Sequence, residues 1–244
     1  ITLLLGPVEH LLEKYKEDKN LTEQFQIIKR NANRLLILIN ELLDFRKIEA
    51  NAMQLAVSEK DLNDFFCQIA KSFQTHAEIH NINFKIIPHD QNLNVWIDKT
   101  KMEKVFYNLL SNAFKYTQDG GKITCYLQHH PPKTISIKIE DNGIGIPQDQ
   151  LTNIFKKYHS ANTGEDQYST GIGLYLTKEI IELHKGTISA KNNSVKCSTF
   201  EIKLFTGNQH FESNQIEQQP FVASDTPYAK VNPDNFAEIN EPIH

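Results

Sequence analysis

From Leu21 to Leu42 the apolar residues Leu21, Phe25, Ile28, Ala32, Leu35, Ile39 and Leu42 recur in alternating steps of four and three. That rhythm is a heptad seam on a helix. Leu36 and Leu43 lay a second stripe beside it, so the helix has more than one face to bury. Upstream, Leu5, Val8, Leu12 and Tyr15 repeat the rhythm, and "KEDKNLTEQ" links the segments with Asn20 as a candidate N-cap. Residues 1–50 therefore predict a hairpin of two amphipathic helices. Such a hairpin cannot bury both stripes alone. Pairing with a second copy into a four-helix bundle is the expected solution, and docking onto the rest of the chain is the alternative.

From residue 53 to 205 the pattern mixes short alternating runs with helical ones. "MQLAV" predicts a strand, and Asp61 caps a helix running to about His80. "INFKII" and "NVWI" predict short strands, and Asp98 caps the helix carrying "KTKMEKVFYNLLSNAFKYT". Gly120-Gly121 turns the chain into "KITCYLQ", which faces "TISIKIED" across the "HHPPK" loop. A helix entered through glycines, "GIGLYLTKEIIELH", precedes the strands "GTISAK" and "STFEIKLF". Helices beside mostly antiparallel strands predict an α+β fold, a two-layer α/β sandwich. From Thr206 to His244 the chain is polar and proline-punctuated and reads as a linker or tail.

Composition narrows the function classes. The 244 residues carry 26 basic and 30 acidic side chains, a net charge of -4, so no basic surface is advertised and nucleic acid is not an expected partner. Cys67, Cys125 and Cys197 lie far apart with no C-x-x-C pair, which fits free thiols in a reducing compartment. The most apolar run, "RLLILINELL", is interrupted by Asn40 and Glu41 and is too short to span a bilayer. The start at Ile1, with no signal peptide, suggests a piece of a longer protein.

Three clusters carry candidate chemistry. On the helix after Asp98, Asn108, Asn112 and Lys115 fall at i, i+4 and i+7, on one face. Asparagines on a half-buried helix are costly unless they hold something, and an amide oxygen suits Mg²⁺. A solvated polar face is the plainer reading. "IEDNGIGIP" places two glycines after an acid at a strand end, which is either a turn or the wall of a ligand site. "STGIGLYLTKEI" sets Gly171 and Gly173 at a helix start, where free N–H groups and the helix dipole suit phosphate. Neither glycine cluster completes a P-loop or G-x-G-x-x-G. Between them "IFKKYHSANTGEDQYS" is polar and long enough for a lid.

In this order "NLLSNAFKYT", "DNGIGIP", "IFKKY" and "STGIGLYLTKEI" resemble the N, G1, F and G2 boxes of sensor histidine kinases of two-component systems. The resemblance covers residues 1–205, with the hairpin similar to the dimerisation and phosphotransfer domain. The opening "ITLLLGPVEHLLE" and the "LFTGNQHF" exit resemble Bacteroides-type hybrid sensors, in which a receiver domain would follow. The resemblance implies ATP and Mg²⁺ as cofactors. It implies that Asp141 accepts a hydrogen bond from the adenine amino group while Gly143, Gly145 and Ile146 form the wall beside it. Tyr116 would cover the base, Asn112 would hold Mg²⁺, and Asn108 and Lys115 would meet phosphates or their water shell. Thr170, Gly171, Ile172, Gly173 and Leu174 would line the phosphate seat, and Lys157 would add a phosphate contact. A homodimer, a response-regulator receiver as partner and a cytoplasmic place in an inner-membrane sensor are also implied.

The family's acceptor histidine precedes a segment similar to the opening of this chain, so the acceptor is expected to lie outside it. His10 sits too late and lacks the flanking residues. Two function classes follow: an ATP-dependent protein histidine kinase module, or a dimeric ATP-binding scaffold without chemistry. Hydrolysis is disfavoured, because the hydrolytic relatives resemble a pattern with Glu where this chain has Asn108, and an amide is no base.

Overall fold

A computed structural model describes residues 2–159, 171–194 and 197–217. Two helices, α1 (Thr2–Lys14) and α2 (Lys19–Glu49), form the hairpin. Val8 on α1 and Ala32 on α2 are buried, while Ile28, Leu35, Ile39, Leu42 and Leu43 stay exposed along α2. Asp18, not Asn20, caps α2, because its carboxylate accepts from the Leu21 N–H at 3.1 Å. Asn20 lies inside the first turn, and its side chain accepts from Gln24 instead.

After α2 the expected strand "MQLAV" does not form. Leu55 and Val57 are buried, but the Ala56 N–H donates to Asp98 rather than to a neighbouring strand. The ladder starts one step later, where β1 (Ser58–Asp61) pairs antiparallel with β3 (Asn94–Ile97) as a separate two-stranded sheet. The helix expected from Asp61 to His80 is two, α3 (Leu62–Lys71) and α4 (Gln74–Ile79). Between them the Ser72 hydroxyl donates back to the Ile69 carbonyl, a local bond that competes with the helix.

The main sheet has five strands in the order β2-β4-β5-β7-β6, with β2 at Asn83–Ile87, β4 at Lys122–His130, β5 at Thr134–Asp141, β6 at Thr187–Ser194 and β7 at Cys197–Phe205. Only the β2–β4 pair is parallel. Register explains the two layers. Cys125 sits across from Ile139 and Leu127 from Ile137, while Ile137 and Ile139 meet Ile202 and Phe200 on the next strand. These residues form one continuous apolar face, with period-two alternation setting Lys138 and Glu201 on the other. Against the apolar face pack α3, α5 (Lys99–Tyr116) and α6 (Gly173–Leu183), whose Phe66, Phe106, Leu109, Leu110 and Ile181 complete the core. The α+β two-layer sandwich is therefore the observed fold. No described helix is long and apolar enough to cross a membrane.

The hairpin and the sandwich meet through a small second cluster. Phe45 and Ile48 of α2 pack on Ile172, Tyr175 and Leu176 at the start of α6, with Met53 at the edge. Asp44 beside them takes the Lys104 ammonium of α5. Residues 206–217, read from the sequence as the beginning of a tail, lie against the sandwich, with Phe211 buried beside Leu55 and Val57.

Candidate functional site

The site begins with α5. Asp98 starts the helix by accepting from the Lys101 N–H at 3.1 Å, and the buried Val105, Leu109, Leu110 and Ala113 hold one face in the core. The face so fixed presents Asn108, Asn112, Lys115 and Tyr116, all half-buried. The Asn108 amide nitrogen donates to the Thr177 hydroxyl of α6 at 2.8 Å, which leaves its oxygen facing Gly173. The Lys115 ammonium stands over the Tyr116 ring, 4.9 Å from its centroid, so ring and cation form one unit at the helix end.

Asp141 owes its position to strand parity. Ile135, Ile137 and Ile139 point into the core, and Asp141 is the next inward residue of β5, so an acid occupies a place that alternation assigns to an apolar side chain. Only 5% of it is exposed. Its carboxylate accepts from the Gly143 N–H at 3.0 Å and from the Ser198 hydroxyl of β7, its ladder partner. Burial nevertheless holds its pKa above the ordinary carboxylate value, with these hydrogen bonds pulling the other way.

The loop after Asp141 is held close to the end of α5. A Cβ at Gly143 would stand 2.0 Å from the Tyr116 carbonyl oxygen, and the Ile144 N–H donates to that same oxygen at 3.1 Å. No residue but glycine fits there. Gly145 takes φ +74°, a left-handed turn, and brings Ile146 to Asn192 of β6. Asn192 donates to the Ile146 carbonyl at 2.6 Å and accepts from its N–H at 3.1 Å, so the wall is pinned at both ends.

The second glycine cluster closes the other side. Gly171 has φ +64°, and Gly173 opens α6 with Ile172 as an N-cap that supplies no side-chain bond. A Cβ on Gly173 would meet the Asn108 amide oxygen at 2.7 Å, so the helix start and the asparagine face touch through this missing side chain. Leu174 packs against the main core, while Ile172 is buried among the hairpin residues. Thr170 lies outside the described residues.

Among the described residues the expected set thus gathers into two groups along α5, with the Asp141–Ile146 loop at its C-terminal end and Gly171–Leu174 beside Asn108. Lys157 stands apart. Its ammonium pairs with Glu49 at the end of α2 at 3.0 Å and lies 5.3 Å from the Phe45 and Tyr175 ring centroids, which turns it toward the hairpin. Sequence reasoning missed Ser198, Asn192 and Thr177. A single hydroxyl or amide on a strand or helix carries no spacing signal, and only the ladder register and the helix crossing reveal these three.

The donor set fits a nucleotide with its metal. A buried carboxylate, a glycine wall and a ring beside a cation suit a purine, and the uncapped helix start suits phosphate. Among the described residues no cluster of three or more His, Cys, Asp or Glu could hold a metal alone. An ion held here would rest on an amide oxygen, phosphates and water, which is the habit of Mg²⁺.

Comparison with known proteins agrees with this geometry. Residues 97–207 match the family described as histidine kinase-, DNA gyrase B- and HSP90-like ATPases. Histidine kinase P4 of Formosa agariphila is 37% identical over 221 residues, covering 88% of this chain and 16% of that protein. The sensor histidine kinase TmoS of Ectopseudomonas mendocina is 35% identical over 241 residues, covering 97% of this chain and 24% of its own length. This chain therefore spans between a sixth and a quarter of the length of these relatives. The full-length crystal structure of ShkA in complex with AMPPNP shares the fold, with a TM-score of 0.67 at 17% identity over 84% of this chain and 44% of that one. The two-layer sandwich, the four ordered motifs and these relatives together place the chain in the sensor histidine kinases, with residues 97–207 as their ATPase-type catalytic domain.

Proposed function

We propose that the chain binds Mg²⁺-ATP between the Asp141–Ile146 wall and the N-terminus of α6, and serves transfer of the γ-phosphoryl group to a histidine of the dimerisation domain. The observation that carries this reading is Asp141, a buried acid at a core position of β5 whose inner face is shared with the Gly143 turn. Asp141 would accept from the adenine amino group, and Gly143 lets the backbone lie against the ring. Tyr116 covers the base, and Lys115 and Asn108 turn toward the phosphates or their water. Asn112 would hold Mg²⁺, which neutralises charge on the phosphates. Gly171, Gly173 and the α6 N-terminus supply backbone donors.

Asn108 has no basicity, so the site favours transfer to a positioned side chain over transfer to water; catalysis then rests on positioning and charge. The acceptor is a histidine other than the exposed His10 of α1. The phosphoryl group would pass on to a receiver aspartate, in a homodimeric module on the cytoplasmic side of a membrane sensor. The test is labelling with γ-phosphate-tagged ATP in the presence of a sensor-kinase helical hairpin that carries an acceptor histidine. Acid-labile label on that hairpin, lost with Asn112→Ala and kept with His10→Ala, is the expected result. No label on that hairpin when it is incubated with the unsubstituted chain at saturating ATP would reduce the module to an ATP-binding scaffold.

A further inference from the structure

After β7 the chain turns back at Gly207 (φ +79°) and runs beneath the sandwich. Phe211 inserts beside Leu55 and Val57, with Trp96, Leu183 and Ile216 around them. A single 3-10 turn, Ser213–Gln215, opens with a reciprocal cap in which the Gln215 side chain accepts from the Glu212 N–H at 3.0 Å. The chain then pairs in parallel with Val57. The Val57 N–H donates to the Gln215 carbonyl at 2.7 Å, and the Glu217 N–H donates to the Val57 carbonyl at 2.9 Å.

Val57 belongs to the stretch joining the end of α2 at Glu49 to β1 at Ser58, the covalent link between hairpin and sandwich. That stretch is held along its length. Met53 packs on the Phe45 cluster that docks the hairpin, and the Ala56 N–H donates to the Asp98 carboxylate at 3.1 Å. The Asp98 N–H in turn donates to His184, whose ring faces Phe211 edge-on at 6.3 Å. One continuous set of contacts therefore runs from the exit segment through the link to the docked end of α2.

We propose that residues 206–217 form a strap that clamps this link, so that whatever follows residue 217 sets how freely the ATP-binding domain swings from the hairpin. The strap is built to release. Its far end holds to the link by Phe211, with Ile216 beside it, and by two backbone bonds to Val57, the second of them from Glu217, the last described residue, while its near end is tied by the Thr206 N–H to the Lys133 carbonyl at 2.9 Å. Tension or docking beyond Glu217 acts directly on the bond to Val57. This inference does not rest on the phosphoryl-transfer reading and needs no nucleotide.

Amide hydrogen exchange on the full chain tests it, following peptides over residues 52–57, 43–49 and 105–114. Glu217→Pro removes one donor while leaving the apolar anchor, and Ile216, at φ -88° and ψ 124°, already has the extended backbone that a following proline requires. Phe211→Ala removes the anchor. Both variants should speed exchange over 52–57 by about ten-fold and over 43–49 by about three-fold, with 105–114 unchanged. Unchanged exchange over 52–57 in Glu217→Pro, or a loosened link with 43–49 at the parent rate, would overturn the strap. Should Phe211→Ala fail to fold, Glu217→Pro decides alone.

Discussion

At the scale of single residues the sandwich carries two titratable groups whose burial has opposite consequences. Asp141 has its pKa raised, so the stability it contributes is fully present below its ordinary value and is lost as pH rises through the folded value. At neutral pH the buried charge thus destabilises the ligand-free fold. Asp141→Asn keeps an oxygen for the Gly143 N–H and offers a donor to Ser198, and it should raise the ligand-free melting temperature by a few degrees. Differential scanning fluorimetry without nucleotide checks this; a clear drop would show that the carboxylate is structural. His184 works the other way. Only 1% exposed, it donates from Nδ1 to the Ile180 carbonyl at 2.7 Å and accepts at Nε2 from Asp98, a neutral tautomer. Burial chiefly lowers its pKa below 6.5, Lys101 and His210 add to that, and Ile180 and Asp98 oppose it. Its contribution is complete above 6.5 and lost as pH falls toward the folded value. Urea unfolding from pH 7.5 to 5 should show this loss, and His184→Gln, which can replace both bonds, should flatten that part of the slope.

At the scale of elements, what the sequence made legible follows from periodicity. The α2 helix, the Asp98 cap and the inward row of β5 all rest on local rules, and all three are seen. The motif glycines have a backbone reason: a Cβ at Gly143 collides with α5, and one at Gly173 collides with Asn108. What stayed hidden depends on partners distant in sequence. "MQLAV" has strand composition but finds Asp98 and the exit segment instead of a ladder. Lys157 sits in the right motif yet faces Glu49, an interaction across 108 positions that no spacing rule anticipates. Asn192 is the sharpest case, since a lone amide on an edge strand anchors the wall. Asn192→Ala should leave both polar groups of Ile146 without that partner, costing about 1–3 kcal/mol. Chemical denaturation gives the stability loss, and nucleotide affinity should fall with it. Gly143→Ala should be worse for binding, because the wall must leave α5 by more than an ångström to clear the Tyr116 carbonyl.

For the whole molecule, the hairpin uses one face to dock on α6 through Phe45 and Ile48, yet leaves Ile28, Leu35, Ile39, Leu42 and Leu43 exposed. Phe45 and Ile48 belong to neither stripe, so the docking face is a further one, and most of the seam together with Leu43 is left exposed. A row of five large apolar side chains on one helix favours association. Sedimentation should find a dimer for the parent chain, and Ile39→Asp should dissociate it, since a buried charge costs several kcal/mol. A monomeric parent would remove the bundle from the account. The central claim is that the Asp141–Ile146 loop is the wall of an adenine site, and titration calorimetry of the full chain with Mg²⁺-ATP tests it most directly. Parent protein should bind ATP and discriminate against GTP, while Asp141→Asn should weaken ATP by about ten- to a hundred-fold, the worth of a hydrogen bond to a charged acceptor. ATP and GTP bound equally by the parent, with affinity untouched by Asp141→Asn, would contradict it.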